Sequence, residues 1–251
     1  MNETILITGA SGVLGSELTH HFRRSGHTVV ATSRSRDNLE ALAATIDGPG
    51  QIVAIEIDLE QTGAAAALAS EIDARGLRPT HLVNNARNLA HLKMPLTGHP
   101  GAGQWHAEFH LGVVVPYELT IALAELPSSH LRSVVNISSI YGVVAMQPKL
   151  YESPKSQSPL HYGVVKAALI HLTRELAVRL APNGIRVNAV SYGGIEGRAD
   201  KAFRQRYAEM APNGRMLRTN DVAGAVAFLT SEAAAGVTGH NLMVDGGWTI
   251  W

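Results

Sequence analysis

The sequence contains no cysteine, which excludes disulfides, thiolate nucleophiles and cysteine metal ligands. It also lacks net charge. Its 21 basic and 21 acidic residues balance, so electrostatic capture of nucleic acid or of an anionic membrane surface is not expected. The 12 histidines are scattered along the chain, without a cluster of the metal-site kind, and no metal site is expected. No basic leader with an apolar core opens the chain, and no apolar run approaches the ~18 residues of a membrane span. A soluble cytoplasmic protein without membrane contact is the expectation. Internal repeats and low-complexity tracts are absent as well. The length of 251 residues suits one α/β domain over 1–251.

What is present is a regular alternation of short apolar runs and helix-like stretches. Thr4 to Ile7 leads directly into Thr8-Gly9-Ala10-Ser11-Gly12-Val13-Leu14-Gly15 and then into helical sequence through Arg24. Strands are read at His27 to Ala31, Ile52 to Ile57, His81 to Val83, Ser133 to Ile137, Ile185 to Val190 and Asn241 onward. Between them lie helical stretches at Gln61 to Arg75, about Gln104 to Glu125, His161 to Leu180, Asp200 to Met210 and Asp221 to Thr230. Asn220 or Thr219 is the expected cap of the last of these. Pro116 should bend the second or cost it a hydrogen bond. Asn88 to Ala102 reads as loop, and the charges of Asp200 to Met210 suggest a mobile cover. This order implies a Rossmann-type doubly wound parallel sheet of about seven strands with helices on both faces.

Glycines between strand and helix allow positive φ and close approach of the backbone to a ligand, and the free N–H groups of a helix start attract a pyrophosphate. After the second strand, Ser33 and Arg34 stand where such a fold reads the adenosine ribose. Neutral Ser33 with cationic Arg34 suits a 2′-phosphate, which favours NADP(H) over NAD(H). Asp58 and Leu59 end the third strand where the adenine edge would lie. Ser138 and Ser139 end the fifth, at the carboxyl edge where open sheets bind ligands. Tyr162 and Lys166 are four residues apart and share a helix face. An ammonium close to a phenol favours the phenolate and makes tyrosine usable as an acid or base near neutral pH.

Taken in order, Thr8 to Gly15, Asp58, Asn84-Asn85-Ala86, Ser139, Tyr162 with Lys166, Arg186 to Val190 and Val244-Asp245-Gly246-Gly247 resemble the short-chain dehydrogenase/reductase family over essentially the whole chain. The resemblance implies that Tyr162 is the general acid toward a substrate carbonyl. It makes Ser139, rather than Ser138, the positioning hydroxyl, and Lys166 the group that holds the nicotinamide ribose and tunes the tyrosine. It implies a cofactor lying along Gly9, Ser11, Gly12, Val13, Leu14, Gly15, Ser33, Arg34, Asp58, Leu59, Asn85, Ala86, Tyr162, Lys166, Gly193 and Ile195. It also implies a homodimer or homotetramer built through the long helices and the last strand.

The sequence departs from the family pattern at five places. The middle glycine, Gly12, is one position early; Arg87 replaces glycine after Asn-Asn-Ala; Gly112 replaces the helix asparagine; Tyr192 replaces the proline before Gly193; and Gly197 replaces a threonine. The 23 positions from Ser139 to Tyr162 also exceed the family norm, and this connection is expected to be ordered as a substrate wall or subunit contact. The function expected is an NADP(H)-dependent oxidoreductase that interconverts a carbonyl and a secondary alcohol, with preference for a hydroxylated small-molecule substrate, charged or uncharged, in which Arg87 and the polar Ser153 to Ser158 stretch would favour an anion. The alternative is an NADP(H)-binding protein with little turnover. Asparagine restored at position 112 is expected to raise the rate or be neutral, unless the helix bend has been repacked around glycine.

Overall fold

The computed structural model describes residues 3–45, 47–197 and 199–251. Seven strands form one sheet: β1 (Thr4–Ile7), β2 (Thr28–Ser33), β3 (Gln51–Glu56), β4 (His81–Asn84), β5 (Ser133–Ser139), β6 (Arg186–Tyr192) and β7 (Asn241–Val244). Their order is β3-β2-β1-β4-β5-β6-β7, and every neighbouring pair is parallel. Ile5 faces Val29 on one side and His81 on the other, so β1 is the pivot at which the chain changes winding direction. Ligands of such sheets bind outside the carboxyl ends at that point. The fold expectation is met, with both edge strands parallel.

Side chains alternate across a strand, and β1 shows how this builds two cores from one run. Ile5 and Ile7 enter the cluster containing Leu18, Phe22, Val226 and Leu229, under α1 (Val13–Arg24) and α9 (Ala223–Thr230). Leu6 enters the opposite cluster with Leu68, Ile72, Leu119 and Leu176. That face is covered by α3 (Ala64–Ala74), α5 (Val115–Ala124) and the 21-residue α7 (Leu160–Leu180). Runs buried on both faces account for the uninterrupted apolar sequence of the central strands.

Several local expectations need correction. A helix α2 (Arg36–Ala44) follows Arg34; Ser35 caps it by accepting from the Asn38 N–H at 3.2 Å, and Leu39 and Leu42 anchor it. Asn88 to Ala102 is not all loop, because the Asn88 side chain caps a 3₁₀ turn at Leu89–Leu92. The stretch after it is helical from α4 (Ala102–Phe109) through a π-turn (His110–Val114) into α5. The wide turn ends just before Pro116, so the lost donor falls in the first turn of α5, where no partner is needed. These 23 residues have the length and apolar composition of a membrane span, contrary to the reading of the sequence. Leu111, Val115, Leu119 and Leu123 are nevertheless buried against the sheet and its covering helices.

The connection after β5 is ordered through short turns at Ile140–Gly142 and Pro148–Leu150 and the single-turn α6 (Pro154–Gln157). Nor is α8 (Lys201–Met210) a free cover. Tyr207 is 1% exposed, stacks on Trp248 at 4.3 Å, and accepts a hydrogen bond from the Gly194 N–H at 2.8 Å. Neither Thr219 nor Asn220 caps α9; the Asp221 carboxylate accepts from the Arg218 N–H at 2.8 Å and is held by Arg215 at 2.6 Å.

Candidate active site

The carboxyl ends of the strands open into a cavity of about 770 Å³. Thr8 fixes its floor: its hydroxyl donates to the Val83 carbonyl at 3.3 Å and accepts from the Asn85 and Ala86 N–H groups at 2.9 and 3.0 Å. The Asn85 amide returns to the Thr8 and Gly9 carbonyls at 2.9 and 3.1 Å. The turn after β1 and the turn after β4 are thus locked together. Gly9 has φ +64°, and a Cβ there would lie 2.8 Å from the Ala86 Cα, so only glycine closes the lock. Gly12 is the N-cap of α1 and supplies no side-chain acceptor, which leaves first-turn N–H groups free for an anion. A tight turn without cap, aimed into a long cavity, fits the pyrophosphate of a dinucleotide.

Of the positions expected to bind cofactor, Gly9, Ser11, Gly12, Val13, Leu14, Ser33, Arg34, Asp58, Leu59, Asn85, Ala86, Tyr162, Lys166, Gly193 and Ile195 line this cavity, as does Ser139. Gly15 does not. A Cβ on Gly15 would fall 2.2 Å from the Gly9 carbonyl oxygen, so its task is close packing of α1 beneath the turn. At the far end, Ser11 and Ser33 share a hydroxyl hydrogen bond of 2.7 Å, and Arg34 pairs with Glu60 at 3.1 Å. Asp58 accepts from the Glu60 N–H and the Gln61 amide, both at 3.2 Å, and so organises the turn leading to α3.

At the near end the polar core of the sheet delivers α7. Asn84 donates to Asn136 at 2.8 Å, Asn136 donates to Thr173 at 2.9 Å, and the Ser138 hydroxyl donates to the Lys166 carbonyl at 3.2 Å. Lys166 reaches under the end of β5, where its ammonium donates to the Ile137 carbonyl at 2.8 Å and stands 5.7 Å from the centre of the Tyr162 ring. Burial lowers its pKa to about 8, with the Arg87 charge acting in the same direction and Glu108 opposing. The Ser139 oxygen accepts from the Tyr141 N–H at 3.2 Å, which leaves its proton free to donate into the cavity. The Arg87 guanidinium lies over the Tyr162 ring at 5.0 Å from its centre. Tyr162, Lys166 and Ser139 are therefore gathered at one end of one cavity, although they arise from two elements.

Several lining residues were not singled out in the sequence. Met146, Tyr151 and Pro159 from the long connection wall the near end, with Tyr141 beside them. The Tyr141 and Tyr151 hydroxyls are 3.2 Å apart, and burial raises both pKa values. A polar set, of which Glu60 alone lines the cavity, adjoins it: Asn88 donates to Glu60 at 2.7 Å, and His91 lies 3.0 Å from Glu60 and 3.6 Å from Glu108. Glu108 is 3% exposed, and burial raises its pKa against the opposing charges of Lys166, Arg87, His91 and His161. An asparagine capping a short turn was the available signal for this set. Tyr192 lines the cavity but is anchored away from it, donating its hydroxyl to the Val222 carbonyl at 2.5 Å. Gly112 is enclosed: a Cβ there would stand 2.4 Å from Val165 Cγ1. The bend is therefore packed around glycine, which is the exception under which asparagine at 112 is not tolerated.

The sequence model of a family described as enoyl-(acyl carrier protein) reductase matches residues 9–249. The chain is 32% identical over 257 residues to a galactitol 2-dehydrogenase of Rhizobium johnstonii, covering 99% of this chain and 96% of the relative. It is 30% identical over 251 residues to an uncharacterized short-chain type dehydrogenase/reductase of Sinorhizobium fredii, where it covers 97% of its own length but 43% of that longer protein. Its fold superposes with a TM-score of 0.85 on a short-chain dehydrogenase of Leptospira borgpetersenii crystallised with bound NAD+, at 28% identity over 99% of this chain and 93% of the other. With the glycine turn, the strand-end serine and the Tyr-x-x-x-Lys helix on one cavity, these matches establish that the chain belongs to the short-chain dehydrogenase/reductase family of oxidoreductases.

Proposed function

We propose that the protein interconverts a carbonyl compound and a secondary alcohol, using NADP(H) in preference to NAD(H). The observation that carries this reading is the meeting of Ser139, Tyr162 and Lys166 at one end of the cavity whose other end is the uncapped start of α1. When bound, the reduced nicotinamide supplies a hydride to the carbonyl carbon. Tyr162 donates its phenolic proton to the carbonyl oxygen while the Ser139 hydroxyl holds that oxygen by a hydrogen bond. Lys166 sits behind the phenol, where its positive charge stabilises the phenolate left after transfer. Asn85 and Thr8 keep the floor rigid, and the tyrosine-rich wall reduces access of water.

NADPH is favoured because β2 ends in neutral Ser33 and cationic Arg34, with no carboxylate at that position to accept from a ribose 2′-hydroxyl. Glu60 engages one nitrogen of the Arg34 fork, which itself lines the cavity and keeps further donors for a phosphate. The cytoplasm is the compartment this reading implies. The test is oxidation of NADPH and of NADH against a panel of ketones and aldehydes, in the native protein and in Tyr162→Phe. The substitution should lower turnover by ~10² to 10⁴-fold while NADPH affinity stays within a few fold. Full activity of Tyr162→Phe on an accepted substrate would mean that the proton comes from elsewhere. The rival reading, a dinucleotide binder with little turnover, draws on Gly112 in the π-turn; it predicts tight NADPH binding with no carbonyl reduced by either protein.

A further inference from the structure

The catalytic end of the cavity holds a cation that the carbonyl chemistry does not require. Arg87 follows the turn after β4, is exposed to the cavity, and rests its guanidinium on the Tyr162 ring at 5.0 Å. Among the described residues it takes part in none of the ion pairs. The acids that line the cavity are engaged or remote. Asp58 is bound to the Glu60 N–H and Gln61, Glu60 is shared by Arg34, Asn88 and His91, and Glu196 lies toward Arg215. Glu108 is buried, burial raises its pKa while the Lys166 and Arg87 charges oppose that shift, and it forms no ion pair with Arg87 among the described residues. Lys166 adds a second positive charge, 5.7 Å from the centre of the same ring.

A guanidinium presents its donors in a rigid fork matched to a planar oxyanion, and stacking on an aromatic ring fixes the direction in which the fork points. An arginine so placed, with solvent as its partner until a ligand arrives, selects for a ligand that brings its own negative charge. We infer that the substrate is an organic acid, an oxo or hydroxy compound whose carboxylate is held by Arg87 while its reacting oxygen meets Tyr162 and Ser139. Because Arg87 lies over the same ring whose hydroxyl is the proton donor, the carboxylate belongs a few bonds from the reacting carbon, as in a short oxo acid. Neutralising Arg87 also removes a positive neighbour from Lys166, so an acidic substrate favours the charged lysine as it binds. The inference rests on the proposed function and adds the class of substrate to it.

The experiment compares short 2-oxo and 3-oxo acids with their methyl esters and with phosphate-bearing ketones, in the native protein, Arg87→Gln and Arg87→Lys, with NADPH. For the native protein, kcat/KM should favour the acid over its ester by roughly 10- to 100-fold, the range of one charge-assisted hydrogen-bonded pair. Arg87→Gln should collapse this ratio toward one, chiefly through KM, and Arg87→Lys should restore part of it. Calorimetric titration of the NADP+-loaded protein with a saturated short-chain carboxylic acid and with its amide repeats the comparison without turnover. The acid should bind at least 10-fold more tightly than the amide in the native protein and equally in Arg87→Gln. Equal handling of acid and ester, equal binding of acid and amide, a ratio unchanged in Arg87→Gln, or preference for the phosphate compounds would each overturn the assignment. Arg87-dependent binding of the acid with no carbonyl reduced would leave it standing and defeat the proposed oxidoreduction instead.

Discussion

Lys166 is buried with its ammonium on the Ile137 carbonyl, and its pKa falls from the usual 10.5 to about 8. A charge buried there is a cost to folding. In the unfolded chain the lysine titrates near its ordinary value, so below pH 8 both states are protonated and the folded state carries the full cost of the buried charge. Between pH 8 and 10.5 the folded state releases its proton first, the unfolded state binds more protons, and stability rises with pH. The shift corresponds to roughly 3 kcal/mol. Lys166→Met keeps the volume and removes the charge, so at pH 7 it should melt several degrees higher while turnover is lost. The gap to the native protein should close as pH climbs from 8 toward 10. Thermal melts across that range decide the matter, and a Lys166→Met that melts lower at pH 7 would show that the ammonium is a net stabiliser. Tyr162, Lys166 and Ser139 were legible because their spacing and their strand-end position carry chemistry in the sequence itself. Glu108, His91 and Glu60 were not, since only the folded chain brings a buried helix carboxyl, a short turn and the start of α3 together.

At the scale of elements, legibility followed length and periodicity. The β1–α1 unit and α7 were readable within one or two residues, because four apolar residues before a glycine turn and a long three-and-four spacing admit few alternatives. The elements that were missed, α2, the turn at Leu89–Leu92 and α6, are short and are decided by caps and neighbours more than by pattern. The π-turn between α4 and α5 belongs to this second kind. It lets a helix pass Pro116 and brings Gly112 against the Val165 side chain on α7. Val165 is fully buried and β-branched, so it cannot swing away cheaply. Gly112→Asn should therefore destabilise the protein by ~1 to 3 kcal/mol, as overpacking does. It should also lower activity, by displacing α7 under Tyr162 and Lys166. Val165→Ala made together with Gly112→Asn should recover much of the lost stability, because the two changes share one contact. Denaturant midpoints of the single and double variants test this, and additive losses would remove the steric explanation.

On the scale of the whole molecule, strict alternation of strand and helix made the parallel, doubly wound sheet readable, and the winding reversal at β1 then fixed where the cavity had to open. Sequence pattern could not say which outward apolar residues are left uncovered. Leu160, Val164, Ala167 and Val178 fall on one stripe of α7, and Phe109 and Tyr117 are exposed on the neighbouring α4 and α5. The stretch from Ala102 to Ala124 is apolar enough for a membrane span by composition, yet only 44% of its most apolar window is buried within the chain. Exposed apolar side chains on two adjacent long helices, interrupted on α7 by His171, Arg174 and Glu175, mark an interaction face, and a second copy of the chain supplies a self-complementary cover under two-fold symmetry. We therefore propose a homodimer through these helices, or a tetramer that contains it. Light scattering at micromolar concentration should give at least twice the mass of one chain. Val178→Glu with Tyr117→Glu places four carboxylates in the paired face and should shift the protein toward monomer. Because α7 also carries Tyr162 and Lys166, loss of the partner should cost thermal stability and make the melting temperature of the native protein rise with concentration. A native protein that scatters as a single chain, with a melting temperature independent of concentration, would rule the assembly out.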